Sequence, residues 1–295
     1  MGLRCLTAMQ ATGSGEIVNI ITFDDRSDSR HVFQELHGFG EQHRIAVTVI
    51  RGSAELNAAV RASEPELAIV CGWYSMIAAN TRAAAPRGFI GVHNSLLPRY
   101  RGAAPVVWAM LQGEREIGLS MYTLTSGMDD GDIWAQTSTA VGPDDYIGDV
   151  LGRLEDACDA MIRDVYPRIL DHDIEPVPQD AGKATYGTLR SRDHGRIQWH
   201  EPAERVCRWI RAQSNPYPGA FTSCDGRRLT IWRARPFAAP YHGRPGEVVR
   251  GPSGEMMVIC GDDRALIVDA MQFDDGSTNA GGDAVRPRTI LGGGA

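Results

Sequence analysis

The 295-residue chain has almost no lysine: of its 30 lysine and arginine residues, every one except Lys183 is an arginine. Aspartate and glutamate together number 37, so the formal net charge is −7. This balance argues against a general nucleic-acid binder, because such proteins need an excess of positive charge to attract phosphates, although a net charge does not exclude a local basic patch. We therefore expect a chain without a nucleic-acid partner.

The sequence also has no long apolar run and no paired cysteines. No run approaches the roughly 18 residues that a membrane-spanning helix needs, and no charged-then-apolar leader opens the chain. These absences predict a cytoplasmic protein without a membrane contact. The six cysteines are scattered, with no Cys-x-x-Cys pair, and several of them fall inside apolar runs. Buried free thiols are therefore expected, rather than disulfides or a zinc site.

The chain does have the length for two domains and an ordinary globular composition, with 43% hydrophobic and 23% charged residues. Its first half alternates apolar runs with segments of helical periodicity. The runs that predict buried strands are residues 16–23, 45–50, 67–72 and 89–92. This alternation predicts an α/β fold with a doubly wound, mostly parallel, Rossmann-like sheet.

Two of the predicted strands are followed by side chains that can exchange protons. His93 follows the apolar run that ends at Val92, so it lies at the carboxyl end of a strand, where open α/β sheets place their sites. A second apolar run, residues 117–124, leads into an acidic loop that contains Asp129. A histidine and a carboxylate at two such positions are candidates for one proton-handling pair.

Both segments resemble the signature of the formyltransferases that use 10-formyltetrahydrofolate, which reads Asn-x-His-x-Ser-Leu-Leu-Pro-x-x-Arg-Gly and, further on, Gly-x-Asp-x-Gly. The residues of this chain that match the signature are His93, Ser95, Leu96, Leu97, Pro98, Arg101, Gly102, Asp129 and Gly131. The Asn of the signature falls on Gly91, which is a departure from the family pattern. Two motifs in the family order and spacing are a much more specific signal than an isolated His-x-Ser.

The resemblance implies an enzyme that transfers a formyl group from 10-formyltetrahydrofolate to the primary amine of a small molecule. His93 and Asp129 would be its catalytic residues and would handle the proton and the oxyanion, because an imidazole exchanges protons near neutral pH and a carboxylate favours the imidazolium. Gly91 lacks the amide that the family places two residues before the histidine. We expect a water molecule or a backbone N–H group to replace it, and Asn94 and Ser95 are further candidates for oxyanion support.

The resemblance also implies a slot for the pteridine ring of the folate between the two motifs. A flat, mostly apolar pocket with a few backbone polar groups suits such a ring. The residues expected to form it are Phe89, Ile90, Leu97, Met128, Asp130 and Asp132. The aspartates of the second motif are not accompanied by clustered His or Glu, so we predict no metal ion.

The second half of the chain changes character after residues 172–178, which read as a linker. Short predicted strands separated by Gly and Pro turns resemble the C-terminal region of the tRNA and amino-sugar formyltransferases. This resemblance implies a formyltransferase catalytic domain at residues 1–178 and a small β-barrel-like domain at residues 183–295. The barrel would flank the acceptor or form an oligomer contact, as in a homodimer.

The N-terminal segment matches the family from its first helix onward. Residues 2–9 fit that helix, and residues 13–15 fit the turn after it. The first strand of the family, which is normally central in the sheet, would then be lacking from this sequence. A frayed N-terminal tail is the alternative explanation.

The expected acceptor is a nucleotide-linked amino sugar, because residues 215–221 and 72–74 look more like that branch of the family. Methionyl-tRNA formyltransferase is the alternative; that branch has a basic loop early in its catalytic domain, and residues 24–47 show none. A formyl-folate hydrolase and a catalytically impaired folate-binding homologue are further alternatives, and only Gly91 suggests the second of these.

Overall fold

The computed structural model describes residues 1–26, 31–278 and 285–292. The chain divides into two compact units. The first comprises Met1–Pro105, Glu116–Ala140 and Leu151–Thr188, and the second comprises Val106–Arg115, Val141–Val150 and Leu189–Ala295. Two short segments from the middle of the chain thus belong to the second unit. The division of the chain into a catalytic and a small domain between residues 178 and 183 stays a prediction.

The helices and strands of the described residues are numbered here in chain order. The α-helices are α1 (Gly2–Thr12), α2 (Phe33–His43), α3 (Ser53–Ser63), α4 (Ala79–Arg82), α5 (Pro105–Gln112), α6 (Ile147–Leu170) and α7 (Ala203–Arg211). The strands are β1 (Asn19–Phe23), β2 (Ala46–Ile50), β3 (Ala68–Cys71), β4 (Phe89–His93), β5 (Arg101–Gly102), β6 (Glu116–Thr123), β7 (Ile133–Ala140), β8 (Tyr186–Gly187), β9 (Ala220–Cys224), β10 (Arg227–Pro236), β11 (Val248–Arg250), β12 (Met256–Ile259) and β13 (Ala265–Phe273). Short 3₁₀ helices cover Ala181–Lys183 and Arg192–Gly195.

The first unit contains parallel and antiparallel strands. β1 and β2 pair in parallel, and a four-stranded sheet has the order β3-β4-β6-β7. β3 and β4 are parallel, whereas β6 lies antiparallel to both β4 and β7. The predicted α/β fold with a parallel-containing sheet is therefore confirmed. β6 and β7 add an antiparallel edge, because a hairpin connection joins them directly.

The order of the elements around α1 agrees with the assignment made from the sequence. α1 precedes β1, and in the described residues β1 and β3 each pair with a neighbouring strand on one side only. The lack of a central first strand stays a prediction.

β4 and β6 form the buried centre of the four-stranded sheet, because both consist mainly of apolar or small residues. In their antiparallel register His93 lies opposite Ser120, and Gly91 lies opposite Tyr122. The end of β6 therefore lies beside the start of β4, and the loop that follows β6 returns along the sheet to place Asp129 near His93 at the end of β4.

The second unit is built on a five-stranded antiparallel sheet of order β11-β12-β13-β10-β9. The register of β10 shifts around Arg233, and such irregularities bend a strand and increase its twist. α7 packs on this sheet through Val206, Cys207 and Ile210, which recur at helical spacing and are buried. The predicted C-terminal barrel-like domain is confirmed as a curled half-barrel sheet.

The structure shows the surroundings of the cysteines and of the single lysine. All six cysteines are free thiols, and all of them except Cys71 are buried, as predicted. The side chain of Lys183 is 75% exposed, and its Nζ lies 3.2 Å from Asp180. In the part of the chain that the structure describes, no helix has both the length and the apolar character to cross a membrane.

Candidate active site

The side chain of His93, at the end of β4, is held in one orientation. Its Nε2 lies 2.9 Å from the carbonyl oxygen of Tyr100. Because a carbonyl oxygen can only accept a hydrogen bond, we assign the proton of the neutral ring to Nε2, which leaves the free lone pair on Nδ1. Nδ1 is therefore the atom that can take up a proton from a substrate.

Asp129 faces this basic nitrogen. Its Oδ2 lies 3.7 Å from Nδ1 of His93, and the Asp129 and His93 side chains are 18% and 12% exposed. The distance exceeds that of a direct hydrogen bond but is short enough for the carboxylate to stabilise the charge of a protonated ring. The structure thus brings together the two residues predicted as a proton-handling pair, and both remain accessible to a substrate.

Hydrogen bonds hold both oxygens of the Asp129 carboxylate. The backbone N–H of Gly102 donates to Oδ2 at 2.7 Å, and the Tyr122 hydroxyl donates to Oδ1 at 2.5 Å. Burial, together with the negative charge of Asp129, raises the pKa of Tyr122 well above its ordinary value. Tyr122 therefore keeps its proton near neutral pH and acts as a donor.

The backbone around the pair adopts an unusual conformation. Tyr100, Ala104 and Asp129 have φ angles of 57°, 53° and 49°. Residues other than glycine avoid this left-handed region. Those that adopt it cluster at functional sites, where the surrounding structure enforces the conformation. Two of the three make the contacts described above: the carbonyl of Tyr100 with His93, and the carboxylate of Asp129.

A glutamine outside both motifs connects the segment after His93 to the Asp129 loop. Arg101 is 5% exposed, and its Nε and Nη2 donate to Oε1 of Gln179 at 3.1 and 2.7 Å. Nε2 of Gln179 donates in turn to the carbonyl oxygens of Asp129 and Gly131, at 2.8 and 2.7 Å. One amide side chain thus satisfies a buried guanidinium and anchors the loop that presents the carboxylate.

A second network supports the loop after His93 from β6 and β7. Ser120 Oγ donates to the carbonyl of Ser95 at 2.7 Å and accepts from the N–H of Leu97 at 3.0 Å. Gln136 Nε2 donates to Ser120 Oγ at 2.8 Å and to the carbonyl of Leu97 at 2.9 Å. The Ser95 hydroxyl donates to the carbonyl of Arg99 at 2.7 Å, so its proton is used inside the loop.

The residues predicted to line the pteridine slot divide into two groups. Those with buried side chains, each at most 3% exposed, are Phe89, Ile90 and Leu97. Those that reach the surface are Met128, which is 51% exposed, Asp130 and Asp132. No three His, Cys, Asp or Glu side chains of the described residues form a group that could hold a metal ion. The folate contacts stay predictions.

Position 91, where the family signature has Asn, has no room for a side chain. A Cβ built on Gly91 would lie 2.6 Å from Cε1 of Tyr122 and 2.6 Å from Cδ1 of Leu124, which is closer than Cβ atoms approach other atoms. Asn94, predicted as one replacement for the missing amide, is half-buried at the start of the loop after β4. Its role and that of Ser95 in oxyanion support stay predictions.

Sequence reasoning missed Tyr122 and Gln179. The signal for Tyr122 is its position opposite Gly91, which can be found only when the register of β4 and β6 is known. Gln179 is separated from Asp129 by 50 residues and follows a segment that reads as a linker. No local pattern marks it as part of a site.

The sequence also matches known families and proteins. The family model described as "Formyl transferase" matches residues 14–166, and "Formyl transferase, C-terminal domain" matches residues 190–286. The chain is 36% identical to the methionyl-tRNA formyltransferase of Anaeromyxobacter dehalogenans strain 2CP-1 over 221 residues, which are 74% of this chain and 70% of the relative. It is 33% identical to that of Sorangium cellulosum over 241 residues, which are 81% of this chain and 77% of the relative.

Solved structures share the fold at lower identity. HypX from Aquifex aeolicus, in complex with tetrahydrofolic acid, has a TM-score of 0.66 at 18% identity. The match covers 89% of this chain but only 45% of the HypX chain, which is less than half of it. The methionyl-tRNA formyltransferase from Clostridium thermocellum has a TM-score of 0.56 at 21% identity, covering 83% of this chain and 100% of that one. The N-formyltransferase from Helicobacter canadensis, in complex with folinic acid and dTDP-3-aminofucose, has a TM-score of 0.61 at 15% identity, covering 86% and 99%. With two matching family models and relatives above 30% identity over most of its length, the chain belongs to the formyltransferase family.

Proposed function

We propose that this formyltransferase transfers the formyl group of 10-formyltetrahydrofolate to the α-amino group of methionyl-tRNA. Membership of the family establishes formyl transfer with a folate-type donor. One observation supports the choice of acceptor: the relatives at 33–36% identity, which match 74–81% of this chain, are methionyl-tRNA formyltransferases.

This acceptor was the alternative in the sequence analysis, and it is now the better supported one. The predicted nucleotide-linked amino sugar is not confirmed, because the likeness to the enzyme that was crystallised with such a sugar is at 15% identity and concerns the fold alone. The expectation of a chain without a nucleic-acid partner is likewise not supported. The cytoplasmic location and the homodimer stay predictions.

The geometry around His93 supports a proton-transfer role in this reaction. The amine attacks the formyl carbon as a neutral nucleophile, so its nitrogen must lose a proton as the new C–N bond forms. Nδ1 of His93 accepts that proton, and Asp129 at 3.7 Å stabilises the resulting imidazolium. The imidazolium then returns the proton to the leaving folate nitrogen when the old C–N bond breaks, and the ring is neutral again.

The donor would lie against the two motifs of residues 1–178, which we propose as the catalytic domain. Met128 offers an exposed thioether beside the backbone of Gly102, since a Cβ on that glycine would lie 3.2 Å from its Sδ. An exposed apolar group next to a polar backbone suits a flat heteroaromatic ring. Phe89, Ile90 and Leu97 would form the apolar floor, and Asp130 and Asp132 the polar rim.

A cluster of arginines in the second unit supports a phosphate-rich acceptor. Burial and the positive charges of Arg192 and Arg196 lower the pKa of Arg228. The guanidinium groups of Arg196 and Arg228 lie 5.3 and 3.6 Å from the ring centroid of Phe221. Asp193 and Asp274 act in the opposite direction on the pKa of Arg228 and partly offset these charges. Three neighbouring arginines still attract nucleic-acid phosphates, even in a chain whose net charge is −7. We propose that this patch contacts the tRNA backbone.

The test is incubation of the purified protein with 10-formyltetrahydrofolate and methionyl-tRNA, followed by mass spectrometry of the amino acid released from the tRNA. Deacylated tRNA and free methionine are the matched controls, and a dTDP-linked amino sugar is the competing acceptor. We expect formyl-methionine from methionyl-tRNA alone, with a KM for the tRNA that rises steeply with salt. Arg192→Ser/Arg196→Ser should raise this KM at unchanged kcat, whereas Arg235→Ser, an exposed arginine paired with Asp269, should not.

Other outcomes would overturn the proposal in favour of a named rival. Formylation of the amino sugar would restore the acceptor predicted from the sequence. Formate release without any acceptor would identify a formyl-folate hydrolase. Tight folate binding without turnover on any amine would identify a binding homologue.

A further inference from the structure

The side chain of Tyr122 occupies the place that a side chain at position 91 would take. Gly91 and Tyr122 are direct partners in the antiparallel pair of β4 and β6. Residues directly opposite each other in such a pair project from the same face of the sheet. Cε1 and Cζ of Tyr122 would lie 2.6 and 3.0 Å from a Cβ at position 91, so the ring fills the volume beside Gly91.

This ring delivers a hydroxyl to the candidate proton-handling pair. Tyr122 is 7% exposed, and its hydroxyl donates to Oδ1 of Asp129 at 2.5 Å. The rings of Tyr122 and His93 meet edge to face, with centroids 6.2 Å apart and an interplanar angle of 78°. Tyr122 is thus in contact with both members of the pair.

The hydroxyl determines the direction in which the Asp129 carboxylate points. Oδ1 accepts from Tyr122, and Oδ2 accepts from the N–H of Gly102 and faces Nδ1 of His93. Without the first of these donors, the carboxylate would be held at one oxygen only and could rotate about its last bond. The backbone of Asp129, with a φ of 49°, would then be the remaining constraint on its orientation.

We propose that Tyr122 is a positioning residue for formyl transfer: from the neighbouring strand it fills the space at Gly91, and its hydroxyl holds Asp129 against His93. The inference rests on the proposed proton transfer through these two residues. It explains why the Asn of the family signature can be replaced by glycine here, since a polar group still reaches the pair from the same face of the sheet.

Tyr122→Phe tests the hydroxyl alone, because the ring that fills the space at Gly91 is retained. We expect kcat to fall about tenfold to hundredfold, with an unchanged KM for the folate and a melting temperature close to that of the wild type. Tyr146→Phe is the matched control, because the hydroxyl of this tyrosine of the second unit bonds the backbone of Ala234 and no side chain among the hydrogen bonds described for it.

An exchange of side chains tests the spatial relationship. Gly91→Asn alone should lower both kcat and the melting temperature, because the new side chain meets the Tyr122 ring. Tyr122→Ala alone should lower both through the loss of the ring and the hydroxyl. Gly91→Asn/Tyr122→Ala should be about tenfold more active than either single variant, since the ring is gone and Cδ1 of Leu124, at the end of a flexible side chain, can move aside for the amide.

The readouts separate this inference from the proposed function. If the wild type transfers no formyl group to any amine, the proposed function fails and this inference fails with it. If the wild type is active but Tyr122→Phe retains its kcat, the inference alone is overturned. Effects of Gly91→Asn and Tyr122→Ala that simply add in the double variant would also overturn it.

Discussion

The Nε2–H group of His93 donates to the carbonyl oxygen of Tyr100 at 2.9 Å, and this contact determines which ring nitrogen can act as a base. Tyr100 has a φ of 57°, a conformation that L-residues adopt only when their surroundings enforce it. The tautomer of His93 therefore depends on backbone geometry seven residues further along the chain. Residues 93–102 act as one structural unit rather than as a histidine followed by a loop.

His93→Asn should remove the base while it keeps a polar side chain of similar size. We expect the rate of formyl transfer at saturating substrates to fall by about 10²–10⁴. His242→Asn is a matched control, because His242 also lies beside an aspartate, 3.5 Å from Asp263, but its side chain is 81% exposed. A loss of equal size in both variants would contradict a specific role of His93.

Asp129→Asn should separate the charge of this side chain from its shape. Asn tolerates the positive φ at position 129. Its amide oxygen can still accept from the Gly102 N–H group while its amide nitrogen donates to the Tyr122 hydroxyl, so the melting temperature should change little. We expect kcat to fall about hundredfold because the imidazolium of His93 loses its counter-charge. Asp263→Asn, at a second aspartate with positive φ, should leave kcat unchanged. A fall below threefold at position 129 would exclude an electrostatic role, given that catalytic proton transfer contributes at least about hundredfold.

Two substitutions of Gln179 distinguish its contribution to the free energy of unfolding from its role in anchoring the Asp129 loop. Gln179→Ala leaves Nε and Nη2 of the buried Arg101 guanidinium without their acceptor, and we expect a loss of about 1–3 kcal/mol in the free energy of unfolding. Gln179→Glu keeps an acceptor for Arg101 but removes both donors to the carbonyls of Asp129 and Gly131. It should therefore be more stable than the alanine variant yet show a reduced kcat, as measured by urea unfolding and by formylation assays.

The control for these variants is Gln198→Ala, at an exposed glutamine of the second unit. It should change neither quantity. Wild-type kcat in Gln179→Glu would mean that the two carbonyl contacts do not orient the Asp129 loop.

Two thiols buried in the second unit predict a loss of stability in alkaline solution. Burial raises the pKa of Cys207 to about 11 and that of Cys260 to about 12, from an ordinary value of 9.0. Above about pH 9 the unfolded chain releases these protons while the folded chain retains them, so the free energy of unfolding falls as the pH rises through 11. Cys207 alone accounts for about 3 kcal/mol.

Urea unfolding across this pH range, under reducing conditions, checks the prediction. Cys207→Ala/Cys260→Ala should show a shallower decline than the wild type, although its stability at neutral pH is lower because two buried side chains are truncated. An identical slope in the two proteins would assign the alkaline loss to other groups, such as the buried tyrosines.

The sequence predicted those residues of the candidate site that strand ends and motif spacing mark. His93 and Asp129 follow apolar runs that the sequence marks as strands. Because β4 and β6 are antiparallel, their ends do not share an edge, and the two residues meet because the loop after β6 returns toward the end of β4. The runs themselves do not predict that return. Tyr122 could not be predicted in the same way, because its relation to Gly91 depends on the register of two strands. A shift of one residue in that register would turn Tyr122 to the opposite face.

The sequence predicted the strands whose side chains are mostly buried. It did not predict contacts between residues that are far apart in the chain. The apolar runs that became β4 and β6 are almost fully buried, which is why their composition marks them. The contacts of Gln179 depend on the return of the chain after α6, and no periodicity encodes that return. The acceptor was predicted from short segments such as residues 215–221, whereas tRNA recognition depends on charge distributed over a surface.

Lys183 offers a site for a fluorescent label in the segment that contacts Arg101 and the Asp129 loop. It is the only lysine of the chain, so an amine-reactive fluorophore would modify a single side chain in addition to the α-amino group. Lys183 lies at the end of the 3₁₀ helix Ala181–Lys183, in the segment between Gln179 and Tyr186, and both of these residues contact Arg101. A dye at this position would report rearrangements of the segment during turnover, without an engineered attachment site.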